Sequence, residues 1–183
     1  MADRYYELEV AGCKRQLMIV NLDEKTAIAG FIMLGDVEVT EKCAAELAKK
    51  IPEGVEVILT AEAKGIPLAE AMARHLGMPY YVVARKKMKA YMKEPLWVEV
   101  ESITTKGKQK LCLMDTDIGR IRGKRVLLVD DVISTGDSIR ALEKLAEKAG
   151  GQVIGRAAAL AEGDAARRKD IIFLKELPLF EAE

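Results

Sequence analysis

The chain is almost without imidazole. His75 is its single histidine, and only three cysteines, Cys13, Cys43 and Cys112, accompany it in 183 residues. A cysteine nucleophile would therefore have one possible imidazole partner, and that residue reads as a helix-surface group. Three widely separated thiols suit reduced, partly buried cysteines better than a disulfide framework or a zinc site. A surplus of either charge is lacking too: Lys plus Arg and Asp plus Glu stand at 29 each, with no long basic tract or acidic tail. That balance argues against an extended nucleic-acid or membrane surface. No apolar run approaches membrane-spanning length, and the opening MADRYYELEV is charged and alternating rather than signal-like. Internal repeats and low-complexity segments are missing as well. These absences lead to the expectation of a cytoplasmic protein with neither nucleic acid nor membrane as a partner. With half its residues hydrophobic, the chain can bury one substantial core, so a single domain over 1–183 is expected.

The most informative stretch is RVLLVDDVISTGDSIRALEKL, Arg125 to Leu145. Val126 to Val129 form a short, branched, continuous apolar run, as in a strand covered on both faces of a parallel sheet. Beyond Ser138, apolar residues at Ile139, Leu142, Leu145, Ala146 and Ala149 recur at helical spacing, and Gly150 and Gly151 supply a stop. Asp130 and Asp131 are thus expected where strand gives way to loop. Ligands of open α/β sheets bind at that edge, where a starting helix offers unpaired N–H groups. Small residues at Ser134, Thr135 and Gly136 allow close approach to an anion, and the hydroxyls of Ser134, Thr135 and Ser138 add donors. Two carboxylates beside an anion make sense if the ligand brings hydroxyls or a magnesium ion. A sugar phosphate satisfies both demands.

Elsewhere the period changes. YYELEVAG, KRQLMIVNL and TAIAGFIML, between Tyr5 and about Leu34, read as strands of a small β-ribbon broken around Gly12 and Asn21. Thr40 is placed to cap a helix over EKCAAELAKKI. Strands are expected at Val55–Thr60, Tyr80–Ala84 and Val153–Leu160, with a helix over Pro67–Leu76. This alternation predicts an α/β protein with a doubly wound, mostly parallel sheet. WVEVESITTKGKQKLCLM alternates in two arms around Lys106 and Gly107, as a protruding β-hairpin would. The loop TAEAKGIPLAE joins strand to helix near Pro67, making Ala63, Lys64 and Gly65 a second anion cradle on the same rim. Arg85, Lys86, Lys87 and Lys89 add a denser cationic group. The implied ligand carries a monophosphate at one end, a more highly charged anion at the other, and hydroxyls between.

VLLVDDVISTGDS resembles the signature of type I phosphoribosyltransferases, and AEAKG and ARKK are similar, in order and spacing, to the pyrophosphate loop and basic segment of the purine members. The resemblance covers roughly Val55 to the C-terminus. EAKG resembles the loop of adenine phosphoribosyltransferases, while the hairpin and ARKK equally resemble xanthine phosphoribosyltransferase and the related purine-operon repressor. The resemblance implies transfer of the phosphoribosyl group of phosphoribosyl pyrophosphate to a purine, adenine as first choice, giving a nucleoside monophosphate and pyrophosphate in purine salvage. Its alternatives are an oxopurine such as xanthine, or a non-catalytic sensor of the same ligand. Asp130 and Asp131 would bind the ribose hydroxyls, directly or through Mg2+, and Ser134, Thr135, Gly136, Asp137 and Ser138 the 5′-phosphate. Ala63, Lys64 and Gly65 would meet pyrophosphate through a non-proline cis peptide, with Arg85, Lys86, Lys87 and Lys89 adding charge in a homodimer. Residues 1–36 would form a hood and 89–114 a flexible hairpin lid. Glu162, after the last central strand, is the candidate for base recognition, ahead of Glu99 and Glu101. One departure stands out: Asp137 occupies a position where many relatives have glycine.

A VDD after apolar residues also begins receiver domains, but there it lies near the domain start and the Ser-Thr-Gly loop would have no purpose. The segment before Leu34 lacks the helix-turn-helix pattern that a regulator would use on DNA, so an enzyme is the preferred reading.

Overall fold

A computed structural model describes residues 4–100 and 109–183, with only the backbone considered at Val100 and Gln109. Three strands come first, β1 (Tyr5–Val10), β2 (Cys13–Asn21) and β3 (Thr26–Ala29), followed by α1 (Val37–Ala48), β4 (Val57–Ala61), α2 (Ile66–His75) and β5 (Val82–Ala84). The hairpin β6 (Leu96–Val100) and β7 (Gln109–Leu113) precedes α3 (Asp115–Ile121), β8 (Arg125–Ile133), α4 (Asp137–Lys148) and β9 (Gln152–Glu162). A 3₁₀ turn over Gly163–Arg167, β10 (Ile172–Leu177) and β11 (Leu179–Glu181) complete the order.

The central sheet has the order β10-β9-β8-β4-β5, and every neighbouring pair in it is parallel. Along β8 successive residues take opposite faces: Leu127 and Val129 join the core beneath α1 and α2, while Val126 and Leu128 join the one beneath α4. All four have no exposed surface, which is why the run carries no polar alternation. Truncating Leu127 or Leu128 to alanine would cost roughly 2–5 kcal/mol.

Several boundaries differ from the sequence expectation. The strand carrying the acids continues to Ile133, because β9 pairs with it that far, whereas pairing with β4 stops at Thr60–Val129. Asp130 and Asp131 are therefore still in a strand on one side and free of ladder partners on the other. The cap of α1 is Asp36 rather than Thr40: the Asp36 side chain accepts the Val39 N–H, and the Thr40 hydroxyl turns back onto the Asp36 carbonyl at 2.7 Å. Helix α4 begins at Asp137, two residues before the first apolar position of its helical spacing, Ile139. The short α3 and the last two strands had no periodic signature in the sequence.

The N-terminal ribbon is real but not self-contained, since β11 pairs with β3 to give an antiparallel sheet of order β1-β2-β3-β11. In the hairpin, β6 and β7 pair from Leu96–Leu113 to Val100–Gln109. Leu111 and Leu113 are buried, and Leu96 and Val98 pack against the same core. Lys148 of α4 donates to the Trp97 carbonyl at 3.2 Å, and Lys110 lies 4.2 Å over the Trp97 ring. The arms are thus anchored on α4. The expected turn at Lys106 and Gly107, with Glu101, lies outside the described residues. Among the described residues no helix is long and apolar enough to cross a membrane.

Candidate active site

A cavity of about 300 Å³ opens at the C-terminal ends of β4 and β8, lined by Ala63, Lys64, Lys86, Asp130, Asp131 and Ser138, with Leu111 of the hairpin at its side. The loop after β4 and the end of β8 meet there because their strands are neighbours in the sheet. Asp131 is only 2% exposed and Asp130 is half-buried. The Asp131 N–H donates to Asp130 Oδ1 at 2.9 Å. Burial, and then the neighbouring Asp131 carboxylate, push the Asp130 carboxyl well above the usual range. Lys64 Nζ lies 3.1 Å from Asp131 Oδ2, yet that buried oxygen has no aligned hydrogen-bond donor. An acid pair with one orphaned oxygen and a raised partner fits a hard cation with oxygen ligands, and Asp130 and Asp131 are the residues that would hold one.

Gly65 caps α2 and packs directly against the acids. A Cβ there would overlap Thr60 Oγ1 and come within 3.1 Å of Asp130 Oδ1, so glycine is required for space rather than for an unusual φ. The peptide bond between Glu62 and Ala63 is cis, within the loop for which the resemblance implies one. Glu62, which the sequence reading passed over, ties the two cationic segments together: it accepts from Arg85 Nη1 and from the Lys86 N–H, each at 2.9 Å. Burial alone would raise the Glu62 carboxyl, but the Lys86 N–H and the Arg85 guanidinium outweigh it and hold it below its ordinary value.

The loop from Ser134 to Ser138 runs into α4, with Gly136 in the left-handed region at φ +81 as its N-cap. Ser138 reaches the cavity, while Ser134 and Thr135 are exposed beside it. Asp137 does not stand unpaired: it accepts from Thr135 Oγ1 at 2.7 Å and from Arg140 Nη2. The remaining candidates lie outside this cavity. Arg85 is engaged by Glu62, Lys87 and Lys89 are exposed beyond it, and Glu162 ends β9 half-buried opposite Leu177 of β10. Arg140 was legible only as a helical i,i+3 partner of Asp137, and nothing local in the sequence marks Glu62 or Arg168.

Residues 36–179 match the model of the phosphoribosyl transferase domain. A hypoxanthine/guanine phosphoribosyltransferase of Methanococcus voltae is 31% identical over 137 residues, 75% of this chain and 69% of that protein. A xanthine phosphoribosyltransferase of Lactobacillus acidophilus is 30% identical over 60% of this chain, which spans 56% of that relative's length. Among solved structures, adenine phosphoribosyltransferase from Thermoanaerobacter pseudethanolicus superposes with a TM-score of 0.64 at 27% identity, covering 79% of this chain and 84% of that one. The parallel sheet with its added antiparallel strands is the type I fold of glycosyl-transferring enzymes. The chain belongs to the phosphoribosyltransferase family.

Proposed function

We propose that the protein transfers the phosphoribosyl group of phosphoribosyl pyrophosphate to a purine base. The observation that carries this reading is the single cavity edge at which the buried acid pair, the Ala63–Lys64 loop and the start of α4 converge. A base nitrogen displaces pyrophosphate at the anomeric carbon through an oxocarbenium-like transition state, a reaction that depends on alignment and on charge neutralisation of the leaving group. In this reading Ser134 to Ser138 hold the 5′-phosphate, Asp130 and Asp131 orient the ribose hydroxyls, and Lys64 and Lys86 face the pyrophosphate. Asp130 and Asp131 would also hold Mg2+, which when bound supplies positive charge to the pyrophosphate oxygens. Arg85 acts in the ligand-free form through its bond to Glu62, and Lys87 and Lys89 contribute longer-range charge. Glu162 serves the base from the end of β9, under a hood formed by residues 1–36 and β11. The active form is a homodimer in the cytoplasm.

The base is read as a 6-oxopurine before adenine, because the curated relatives at 30–36% identity carry hypoxanthine/guanine or xanthine activity in their names. Adenine is the second reading, favoured by EAKG and by the superposed structures. Nucleotide formation from phosphoribosyl pyrophosphate with adenine, guanine, hypoxanthine and xanthine, with and without Mg2+, tests all of this. Tight ligand binding with no turnover on any base would replace the enzyme by a sensor.

A further inference from the structure

The acid in the phosphate loop is balanced by cations that come from two places in the chain. Arg140 donates to Asp137 through Nη2 and to the Thr135 carbonyl through Nη1 at 3.1 Å, so one guanidinium grips both ends of the turn around Gly136. The Thr135 hydroxyl closes the same turn by donating to Asp137 at 2.7 Å. Arg168, reached only after β9 and its 3₁₀ turn, approaches from the other side. Asp170 fixes it with two bonds, Nε to Oδ1 at 2.9 Å and Nη2 to Oδ2 at 2.6 Å. Arg168 Nη1 then stands 2.6 Å from the point that a Cβ on Gly136 would occupy, and Arg140 Nη1 stands 3.2 Å from it. Two guanidinium groups thus meet over the left-handed glycine, against a single carboxylate within the loop. A carboxylate alone would repel a phosphate here, whereas Arg140 offsets Asp137, and Arg168, offset in charge by Asp170, keeps an Nη1 that neither bond to Asp170 uses beside the loop.

We propose that Arg140 and Arg168 form a guanidinium collar that sets the affinity of this loop for a phosphomonoester, Arg140 by cancelling Asp137 and Arg168 by offering the loop the Nη1 donor that its bonds to Asp170 leave over. This rests on reading the loop as the 5′-phosphate site of the proposed function. Both act as positioning residues through the loop, and their effect belongs to the phosphate end of the substrate.

The probe is ribose 5-phosphate, titrated calorimetrically into the full chain, with KM for phosphoribosyl pyrophosphate and for the base measured in parallel. Arg140→Ala raises the dissociation constant about tenfold and Asp137→Gly shifts it about twofold, while the double variant returns to within about threefold of the parent. Arg168→Ala weakens binding about fivefold and Arg168→Lys restores most of it, with KM for the base unchanged. Should Arg140→Ala fail to fold, Arg140→Gln removes the charge while keeping a polar, helix-favouring side chain on α4. An Arg140 variant that binds within twofold of the parent, or a double variant as weak as Arg140→Ala, overturns the collar. Parent protein that binds ribose 5-phosphate but converts no purine removes the proposed activity and leaves this cycle intact, whereas parent protein that binds none overturns both.

Discussion

Lys64 Nζ and Asp131 Oδ2 stand 3.1 Å apart, the lysine side chain 54% exposed and the aspartate 4%. The cation thus covers a buried carboxylate from the solvent side, without the alignment that would make it a good hydrogen-bond donor. Such a pair holds the acid in place at little cost to exchange, because the exposed lysine regains full hydration when it leaves. A ligand with its own cation or hydroxyls can take over the carboxylate and leave Lys64 to the anion. Asp130→Asn with Asp131→Asn is expected to fold, since asparagine matches aspartate in size and the change relieves the crowding of two acidic groups at one buried site. It should weaken magnesium-dependent binding of phosphoribosyl pyrophosphate on the order of a hundredfold or more. Circular dichroism checks the first statement and calorimetry the second; unchanged affinity in the folded variant would sink the assignment of the acids.

Gly65 is bounded by Thr60 Oγ1, Asp130 Oδ1 and the Asp130 backbone. Gly65→Ala therefore pushes α2 away from β8, which should cost about 1–3 kcal/mol and lower the melting temperature by roughly 2–4 °C for each kcal/mol lost. Thermal unfolding measures it. The same change should raise KM for phosphoribosyl pyrophosphate more than KM for the base, because it displaces the Ala63–Lys64 loop.

Arg15 of β2 grips Asp36 with Nε to Oδ2 at 2.7 Å and Nη2 to Oδ1 at 3.0 Å, joining the N-terminal sheet to the cap of α1. Its hydrogen bonds are the main reason that the Asp36 carboxyl lies below its ordinary value of 3.8. The folded pKa is lowered, so the stabilisation is complete above the unfolded value and is lost as pH falls through it toward the folded one. Asp36→Ala should cost roughly 1–2 kcal/mol at neutral pH and flatten the loss of stability below pH 3.8. Denaturant melts across acidic pH measure both; an unaltered slope would mean that other carboxylates dominate.

Arg85 and Cys112 exchange both backbone hydrogen bonds at 2.8 Å, so the foot of the hairpin is stitched to the end of β5. With Leu111 and Leu113 buried as well, the amides of Leu111 to Leu113 are expected to exchange slowly with or without substrate and magnesium. Fast exchange there in the ligand-free protein would support the whole segment 89–114 as a lid. Protection confined to these amides limits a lid to the residues beyond the paired arms.

The central strands, the two loops and the acid pair were legible in the sequence because each depends on short-range pattern. VLLV, Val126 to Val129, is apolar on consecutive positions since both faces of β8 are covered, and STGDS announces a turn into a helix through its own small residues. EAKGIP does the same for α2. What escaped was set by contacts between residues far apart in the chain. Thr40 looked like the cap of α1 until Asp36, held by Arg15 from β2, proved to fill that role. β11 is three residues long and becomes a strand only because β3, near the other end of the chain, offers it an edge. Glu62 could be known as the clamp of Arg85 only once β4 and β5 lay side by side, and Arg168 could be found at Gly136 only once the turn after β9 was placed beside α4. Local propensity and hydrophobic period act over a few residues and survive in a one-dimensional reading, whereas an ion pair has no period and exists only where the topology closes the distance.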